Sequence, residues 1–280
     1  MTTYNLADIY MINDIETILK HGYLDENPRP KYKDGTPAHT YSVNQVFRKY
    51  DLGYCFPILS LRKIAWKTAI REIFTIYQKP TNKIEDMKQM GVNWWEPWDI
   101  GDGTIGQRYG ATVKRYDLIN KLINDIQTNP FGRRKVVSLW QENDLRETPG
   151  LAPCAFLTMW NVRKQDEKYY LDMTLVQRSG DMLTASGAGC TNEVQYAALQ
   201  MMIARHCNLE PGVFCHFVQN EQIYDRHVDA AKTLITRDIK EAPQLYINPE
   251  KKNFYDMTIE DFRIESYDPT EPNIKLELGI

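Results

Sequence analysis

The stretch LAPCAF, residues 151–156, places a cysteine directly after a proline. A free cysteine is more often a packing residue than a nucleophile, and Cys154 on its own is no exception. However, Arg178, Ser179 and Asp181 follow a predicted strand directly, in QRSGD. A guanidinium near a thiol favours the thiolate and so lowers the thiol pKa. If the fold brings Arg178 to Cys154, the pair predicts nucleophilic chemistry.

Arg133 and Arg134 are neighbours in FGRRK, and with Arg178 they could converge on one anion. Two or three guanidiniums suit a phosphate dianion, although an isolated arginine pair more often marks a solvated turn. The whole chain has 34 Lys and Arg against 37 Asp and Glu, a net charge of -3. That balance provides no general field for DNA, RNA or an anionic membrane. A bound anion must therefore meet a local arginine cluster.

Glu72, in AIREI, could transfer protons if it is buried, but beside Arg71 it could equally lie on a solvated helix face. Three tryptophans stand close together in NWWEPW, residues 93–98. Such aromatic side chains can cover a flat ligand or can simply pin their loop to the core. Both alternatives stay open from these residues alone.

The five cysteines are odd in number and contain no CxxC pair, so the sequence indicates neither a disulfide framework nor a zinc ribbon. His206, Cys207, Cys215 and His216 are close in sequence. Their spacing matches no familiar zinc pattern, and we expect buried thiols in a helix and a strand rather than a metal site.

The N-terminal residues carry acids where a secretory signal requires basic residues. No segment reaches the roughly 18 unbroken apolar residues of a membrane span. The sequence therefore predicts a soluble cytoplasmic protein with no membrane partner.

The elements that must position these side chains are helices first and strands later. Residues 5–20 are typical of an amphipathic helix, and a second helix is predicted to begin near Leu61. Residues 26–40, between them, form a basic loop rich in Pro and Gly, and residues 93–110 predict an irregular loop.

From Lys135 onwards the pattern becomes that of strands. Two of them are predicted to form an antiparallel hairpin, joined by the polar turn RKQDEK. With 42% hydrophobic residues and neither a repeat nor a linker, residues 1–280 predict one α+β domain. In order, we expect a strand at 135–140, a hairpin at 156–177, a buried helix at 192–207, a strand at 212–224, a helix at 225–239 and an edge strand at 273–280.

Five motifs, in this order, resemble those of the folate-dependent thymidylate synthase family: GRRK with SLW, APCAF, VQRSGD, NEVQYAAL and IYDRH. DGTPAHT, AWKTAIREI, NWWEPW and IGQRYG, further upstream, are similar as well. The resemblance implies a single domain with a twisted, mainly antiparallel β-sheet packed with helices. It also implies a homodimer with a sheet face as the interface. The same scaffold carries dUMP and dCMP hydroxymethylases.

The implied reaction is the reductive methylation of dUMP to dTMP, with 5,10-methylenetetrahydrofolate as one-carbon and hydride donor and no metal. Cys154 would add to carbon 6 of uracil, which makes carbon 5 nucleophilic. Glu72 corresponds to the general acid/base, and Tyr109 would assist removal of the proton from carbon 5. Asp181 would hold the pterin. Trp95 and Trp98 would flank the folate, and the Ile280 carboxylate would help close the site.

The resemblance also implies how dUMP is bound. Asn192 would read uracil by donating to O4 and accepting from N3–H, although a gapless alignment puts Gly189 there instead. Arg133 and Arg134 would come from the other subunit, which implies an obligate dimer with shared sites. The phosphate would meet Arg178, Ser179 and Arg29, with Lys31 or Lys33 as substitutes for Arg29, and the ribose would meet Tyr224 and Gln222.

Three departures from the family pattern bear on function. Ala155 and Gln222 stand where histidines are common, and the segment between Asp181 and Asn192 is about three residues longer than usual. Because that segment normally touches folate, a hydroxymethylase that admits water in place of hydride transfer is an alternative. A nucleotide-binding protein that has lost turnover is a second alternative.

Overall fold

The computed structural model describes residues 3–277 and residue 279. Its first helix, Leu6–His21, begins where the side chain of Asn5 accepts a hydrogen bond from the amide of Ala7 at 3.1 Å. Met11, Ile15 and Ile18 then return to one face at helical spacing and are buried. The predicted helix over residues 5–20 is confirmed to within a residue.

The described part of the chain contains eight α-helices and nine strands. The helices are α1 Leu6–His21, α2 Trp66–Ile73, α3 Ile84–Gln89, α4 Gly110–Tyr116, α5 Leu118–Thr128, α6 Glu142–Glu147, α7 Thr191–His206 and α8 Val228–Leu234. The strands are β1 Tyr23–Leu24, β2 Thr40–Asp51, β3 Lys135–Ser138, β4 Ala155–Gln165, β5 Lys168–Gln177, β6 Gly180–Asp181, β7 Glu210–Tyr224, β8 Gln244–Ile247 and β9 Phe262–Glu265.

Seven strands form the main sheet, in the order β1-β2-β7-β5-β4-β3, with β6 paired to β7. The longer pairings are antiparallel except that of β5 with β7. The buried helix α7 makes the connection that this parallel pair needs. The predicted fold class, an α+β fold with a mainly antiparallel sheet, is confirmed. Ligand sites in sheets favour the carboxyl ends of parallel strands, here Gln177 and Tyr224.

The hairpin of β4 and β5 is tighter than predicted. Gln165 pairs with Lys168, so only Asp166 and Glu167 lie in the turn. Both have positive φ, 47° and 61°, which a two-residue turn of the I′ type requires. The other residues of RKQDEK belong to the strands, because polar side chains on an exposed hairpin end are compatible with strand pairing.

The second helix does not begin near Leu61, and that prediction is wrong. The helix begins at Trp66 and continues as a π-helical turn, Phe74–Gln78. Leu59 and Leu61 are buried, but their segment crosses the interior in irregular form. Its backbone amides bind groups that are distant in the sequence. The amide of Leu59 donates to Gly189 O, and the amide of Ser60 donates to the Asp8 carboxylate.

Two predictions for the C-terminal region also differ from the structure. The helix predicted over residues 225–239 spans only Val228–Leu234, after a 3₁₀ turn, Asp225–His227. The predicted edge strand over residues 273–280 is not a strand in its described part. Glu277 is bound there by two side chains, with Arg226 donating to its carboxylate and His227 to its carbonyl oxygen. The alternation of the tail reflects half-buried Ile and Leu side chains without a partner strand.

The predicted buried thiols are only half-buried: Cys207 follows the end of α7 and Cys215 lies on β7. His216 is fully buried between Glu193 and Gln177, at 3.0 Å and 3.1 Å from its ring nitrogens. Within residues 3–277 and 279, no helix is long and apolar enough to cross a membrane, and no cluster of three or more His, Cys, Asp or Glu side chains is arranged for a metal.

Candidate active site

A cavity of about 760 Å³ opens at the carboxyl ends of β5 and β7. A second hollow of about 920 Å³, beside α3 and α4, contains none of the predicted site residues. The cavity is lined by twelve of them: Arg29, Glu72, Trp95, Trp98, Tyr109, Cys154, Arg178, Ser179, Asp181, Asn192, Gln222 and Tyr224.

Cys154 precedes β4 and lies beside Arg178, which follows β5. The two strands are paired, and the amide of Arg178 donates to Cys154 O at 3.0 Å. The guanidinium of Arg178 is fixed by the carbonyl oxygens of Ala152 and Pro153, at 2.8 Å and 3.0 Å, and donates to the Cys154 sulfur at 3.4 Å. The backbone of LAPCAF thus holds the arginine against the thiol.

The electrostatics of Cys154 contain two opposed effects. Burial raises the pKa of the thiol above its usual value, while Arg178 and Arg29 lower it. Burial prevails, so the expectation of a lowered pKa is wrong for the site as it stands. The arginines reduce the penalty of forming the thiolate without abolishing it.

Glu72 is a buried carboxylate surrounded by neutral donors. The indole N–H groups of Trp94 and Trp95 both donate to its Oε1, that of Trp94 at 2.8 Å, and the amide of Gln195 donates to Oε2. Burial raises its pKa, and the three hydrogen bonds lower it, with a net increase. A carboxyl group whose pKa is raised in this way can give and take protons at a higher pH than an ordinary glutamate.

Tyr109 and the tryptophan loop form one aromatic wall of the cavity. Tyr109 has a φ of 47°, a left-handed conformation that a tyrosine rarely adopts, and its hydroxyl accepts the amide N–H of Cys154 at 3.4 Å. The rings of Trp95 and Tyr109 lie 5.2 Å apart, and those of Trp95 and Trp98 lie 5.5 Å apart. Trp95 therefore both packs the loop and anchors Glu72.

Asn192 lies at the start of α7, with its amide bonded at both ends. Gln177 donates to its Oδ1 at 3.2 Å, and its Nδ2 donates to Gln195 Oε1 at 3.0 Å. Gly189, the alternative base-reading position, instead donates its amide to the Glu193 carboxylate and packs against the backbone of Leu59. The geometry favours Asn192.

The polar end of the cavity carries the phosphate and sugar candidates. Arg29 reaches it from the basic loop, whereas neither Lys31 nor Lys33 lines it. Gln222 and Tyr224 project from the end of β7. An added Cβ at Gly279 would come within 3.0 Å of the Tyr224 ring, so the tail passes close over this wall.

Asp181 ends the short strand β6 beside β7. Its carboxylate accepts from the amide of Leu183 at 3.2 Å and from the hydroxyl of Thr184 at 2.5 Å. Burial raises its pKa, and His227 lowers it. The longer segment after Asp181 contains a π-helical turn, Met182–Ser186, that this carboxylate caps.

Three predicted site residues are not brought to this cavity by the described chain. Arg133 and Arg134 lie in the turn between α5 and β3, where both are exposed and line no part of it. Ile280 lies outside the described residues.

The sequence interpretation missed Gln177, Gln195 and Trp94, all of which contact predicted site residues. A signal existed for Gln195, because it follows Asn192 by three positions on a helix and so shares its face. Gln177 directly precedes Arg178 at the strand end. Trp94 had no local signal, because its role depends on how the loop meets Glu72.

The sequence profile of thymidylate synthase matches residues 10–280. A thymidylate synthase of Streptococcus pneumoniae is 47% identical over 98% of this chain and 99% of its own length, and one of Streptococcus gordonii is 46% identical over the same shares. The solved thermostable thymidylate synthase A of Bacillus subtilis superposes with a TM-score of 0.90 at 34% identity, over 98% of this chain and 99% of that one. The chain belongs to the thymidylate synthase family.

Proposed function

We propose that this enzyme converts dUMP to dTMP, with 5,10-methylenetetrahydrofolate as the co-substrate and Cys154 as the nucleophile. One observation carries the proposal: the Cys154 thiol, the Arg178 guanidinium, the Asn192 amide and the Glu72 carboxyl group line a single cavity. These groups supply the nucleophile, the anion site, the base reader and the proton carrier that the reaction needs.

The thiolate of Cys154 adds to carbon 6 of uracil, and the electron pair of the ring double bond makes carbon 5 an enolate carbon. The proton lost by the thiol passes to solvent or to a buried base before this addition. Arg178 remains beside the sulfur, where its positive charge favours the anion.

Glu72 acts as the proton donor and acceptor for the charge that develops on the uracil ring. Since its pKa is raised by burial, it can donate a proton toward the O4 side of the base through water and recover it later. The hydroxyl of Tyr109, 3.4 Å from the backbone of the nucleophile, assists removal of the carbon 5 proton. Arg29, Arg178 and Ser179 bind the phosphate, and Gln222 and Tyr224 bind the ribose.

The folate supplies the one-carbon unit and the hydride. The aromatic wall of Trp95 and Trp98 offers flat faces for its rings, and Asp181 offers a carboxylate for the pterin nitrogens. No metal takes part in this scheme.

The assay that tests this function measures dihydrofolate absorbance together with the mass of the nucleotide product. The synthase yields dTMP and dihydrofolate in equal amounts. A hydroxymethylase yields a hydroxymethylated nucleotide and tetrahydrofolate, and a binding protein yields neither. Either of the last two results contradicts the proposal.

We further propose that Arg133 and Arg134 complete the phosphate site of a second copy across a homodimer. Their exposure in this chain supports this, because two exposed guanidiniums suit an anion held by the partner. Arg134→Ala and Cys154→Ser chains, each weak or inactive alone, should regain activity when subunits exchange, since one hybrid site then holds both intact groups. Hybrids that form in native mass spectra without activity would contradict the shared site.

A further inference from the structure

Two buried glutamines hold the amide of Asn192 from opposite ends. Gln177 donates to Asn192 Oδ1, and Asn192 Nδ2 donates to Gln195 Oε1. We propose that Gln195 is a positioning residue that locks Asn192 in the orientation that reads uracil and ties this base reader to the Glu72 carboxyl group. The inference rests on the proposed function, because it deepens the role of Asn192.

The orientation of Gln195 follows from its other neighbour. Its Nε2 donates to Glu72 Oε2, and an ionised carboxylate can only accept. While Glu72 is ionised, the nitrogen end of Gln195 must therefore face it, and the oxygen end of Gln195 must face Asn192. Because Gln195 Oε1 can only accept, the Nδ2 group of Asn192 must face it.

The contacts of Gln177 lead independently to the same orientation. Its Nε2 donates to Ser179 O at 3.1 Å, and a carbonyl oxygen can only accept. The same nitrogen faces Asn192, so the oxygen end of Asn192 must lie there. On its far side, Gln177 Oε1 lies 3.1 Å from His216 Nε2. The two anchors agree, although they come from a helix and from a strand.

This lock has a consequence for base selection. In the locked orientation Asn192 offers an N–H to uracil O4 and an oxygen to N3–H, whereas cytosine presents an amino donor and a bare N3. Turning the amide to suit cytosine would set donor against donor at Gln177 and acceptor against acceptor at Gln195. Both glutamines are at most 2% exposed, so water cannot relieve the mismatch.

The decisive experiment compares Gln195→Leu with Gln200→Leu. Gln200 is a buried glutamine of the same helix whose Nε2 donates to Leu171 O and Val213 O, and it does not line the cavity. Isothermal titration calorimetry would give the dissociation constants for dUMP and dCMP. We expect Gln195→Leu to reduce the preference for dUMP over dCMP by roughly 10-fold or more, and Gln200→Leu to leave it within about 2-fold.

A purely structural role of Gln195 would weaken both nucleotides equally, and an unchanged ratio would overturn the inference. If Gln195→Leu does not fold, Gln177→Met decides, because it frees the other end of Asn192 and should lower the ratio similarly. A wild-type protein that shows no preference for dUMP contradicts the proposed function together with the lock. A wild-type protein that converts dUMP, while both glutamine variants keep its preference, contradicts the lock alone.

Discussion

Two buried glutamates, Glu72 and Glu193, have opposite electrostatic surroundings. Glu193 lies on α7 with the buried guanidinium of Arg48 at 3.1 Å, and Arg48 also binds Glu221 at 2.7 Å. Burial raises the pKa of Glu193, but Arg48 and His216 together lower it by more than burial raises it. The pKa of Glu193 is therefore lower than that of an ordinary glutamate. Among the described residues, the donors to Glu72 are neutral, and its pKa is raised.

This difference distinguishes a glutamate with a structural role, Glu193, from one suited to proton transfer, Glu72. Glu193, beside a cation, keeps its charge and is committed to its partner, whereas Glu72, served by neutral donors, can take up a proton. Asn192 and Gln195 face the cavity, and Glu193, between them in sequence, faces the cluster of Arg48. One helix therefore carries both kinds of group, and variants on the two sides should fail in different ways.

The largest effect is expected from Cys154→Ser. A serine hydroxyl is essentially un-ionised at neutral pH and cannot add to carbon 6, so kcat/KM should fall by at least about 10,000-fold. Binding of dUMP and the melting temperature should change little, because a serine side chain has nearly the same size and shape as a cysteine side chain. Steady-state kinetics and calorimetry check both, and turnover above background would exclude Cys154 as the nucleophile.

Glu72→Gln should lower kcat by roughly 100- to 10,000-fold, the usual range for loss of a general acid/base. It should also remove a pH dependence of stability. Because the folded-state pKa of Glu72 is raised, the native protein holds a proton that the unfolded chain releases, and wild-type stability falls as pH rises from the ordinary glutamate pKa through the raised value. Urea unfolding across this window should show a smaller fall for the variant, and equal slopes would contradict the assignment.

Arg48→Met changes the cluster on the side of α7 that faces away from the cavity, and we expect it to lower the stability of the fold. It leaves buried carboxylates without their cation, which costs about 3–5 kcal/mol in the free energy of unfolding. Arg163→Met is the matched control, because Arg163 forms a half-exposed pair with Asp172 at 2.8 Å and should cost about 1 kcal/mol or less. Chemical denaturation measures both. Equal losses would mean that burial of the Arg48 cluster does not matter.

The smallest effect is expected from Asn192→Asp, which should shift preference from dUMP toward dCMP by one to two decades, or about 1–3 kcal/mol. A carboxylate can accept from the cytosine amino group, and when protonated it can donate to N3. The ratio of kcat/KM for the two nucleotides is the measurement, and an unchanged ratio would show that Asn192 does not read the base.

Local sequence patterns predicted most of the helices, strands and site motifs. The elements that they did not predict depend on contacts between residues that are distant in the sequence. The motif around Cys154 and the strand before Arg178 were readable because each is set by neighbouring residues. The irregular segment before Trp66 was not, since its shape depends on the carboxylate of Asp8 and the backbone of Gly189.

The candidate site shows the same division. Twelve predicted residues meet in one cavity, as family motifs implied. The partners that orient them were largely invisible in sequence: Gln177 and Trp94 act across the sheet and from a loop, where no periodicity connects them to Asn192 or Glu72. The raised pKa of Cys154 was likewise unpredictable, because it depends on how deeply the thiol is buried.

The pairing of β2 with β7 has a consequence for synthesis on the ribosome. Arg48 and Glu221, on these two strands, are 173 positions apart in the chain. At about 5–20 residues per second, β2 leaves the ribosome roughly 10–35 s before its main partner exists. During that interval the edge of β2 that will pair with β7 has no partner strand, and in the described chain its other edge pairs with only the two residues of β1. The nascent chain thus carries an unsatisfied strand edge for most of its translation, and that edge is open to pairing with other chains until β7 is made.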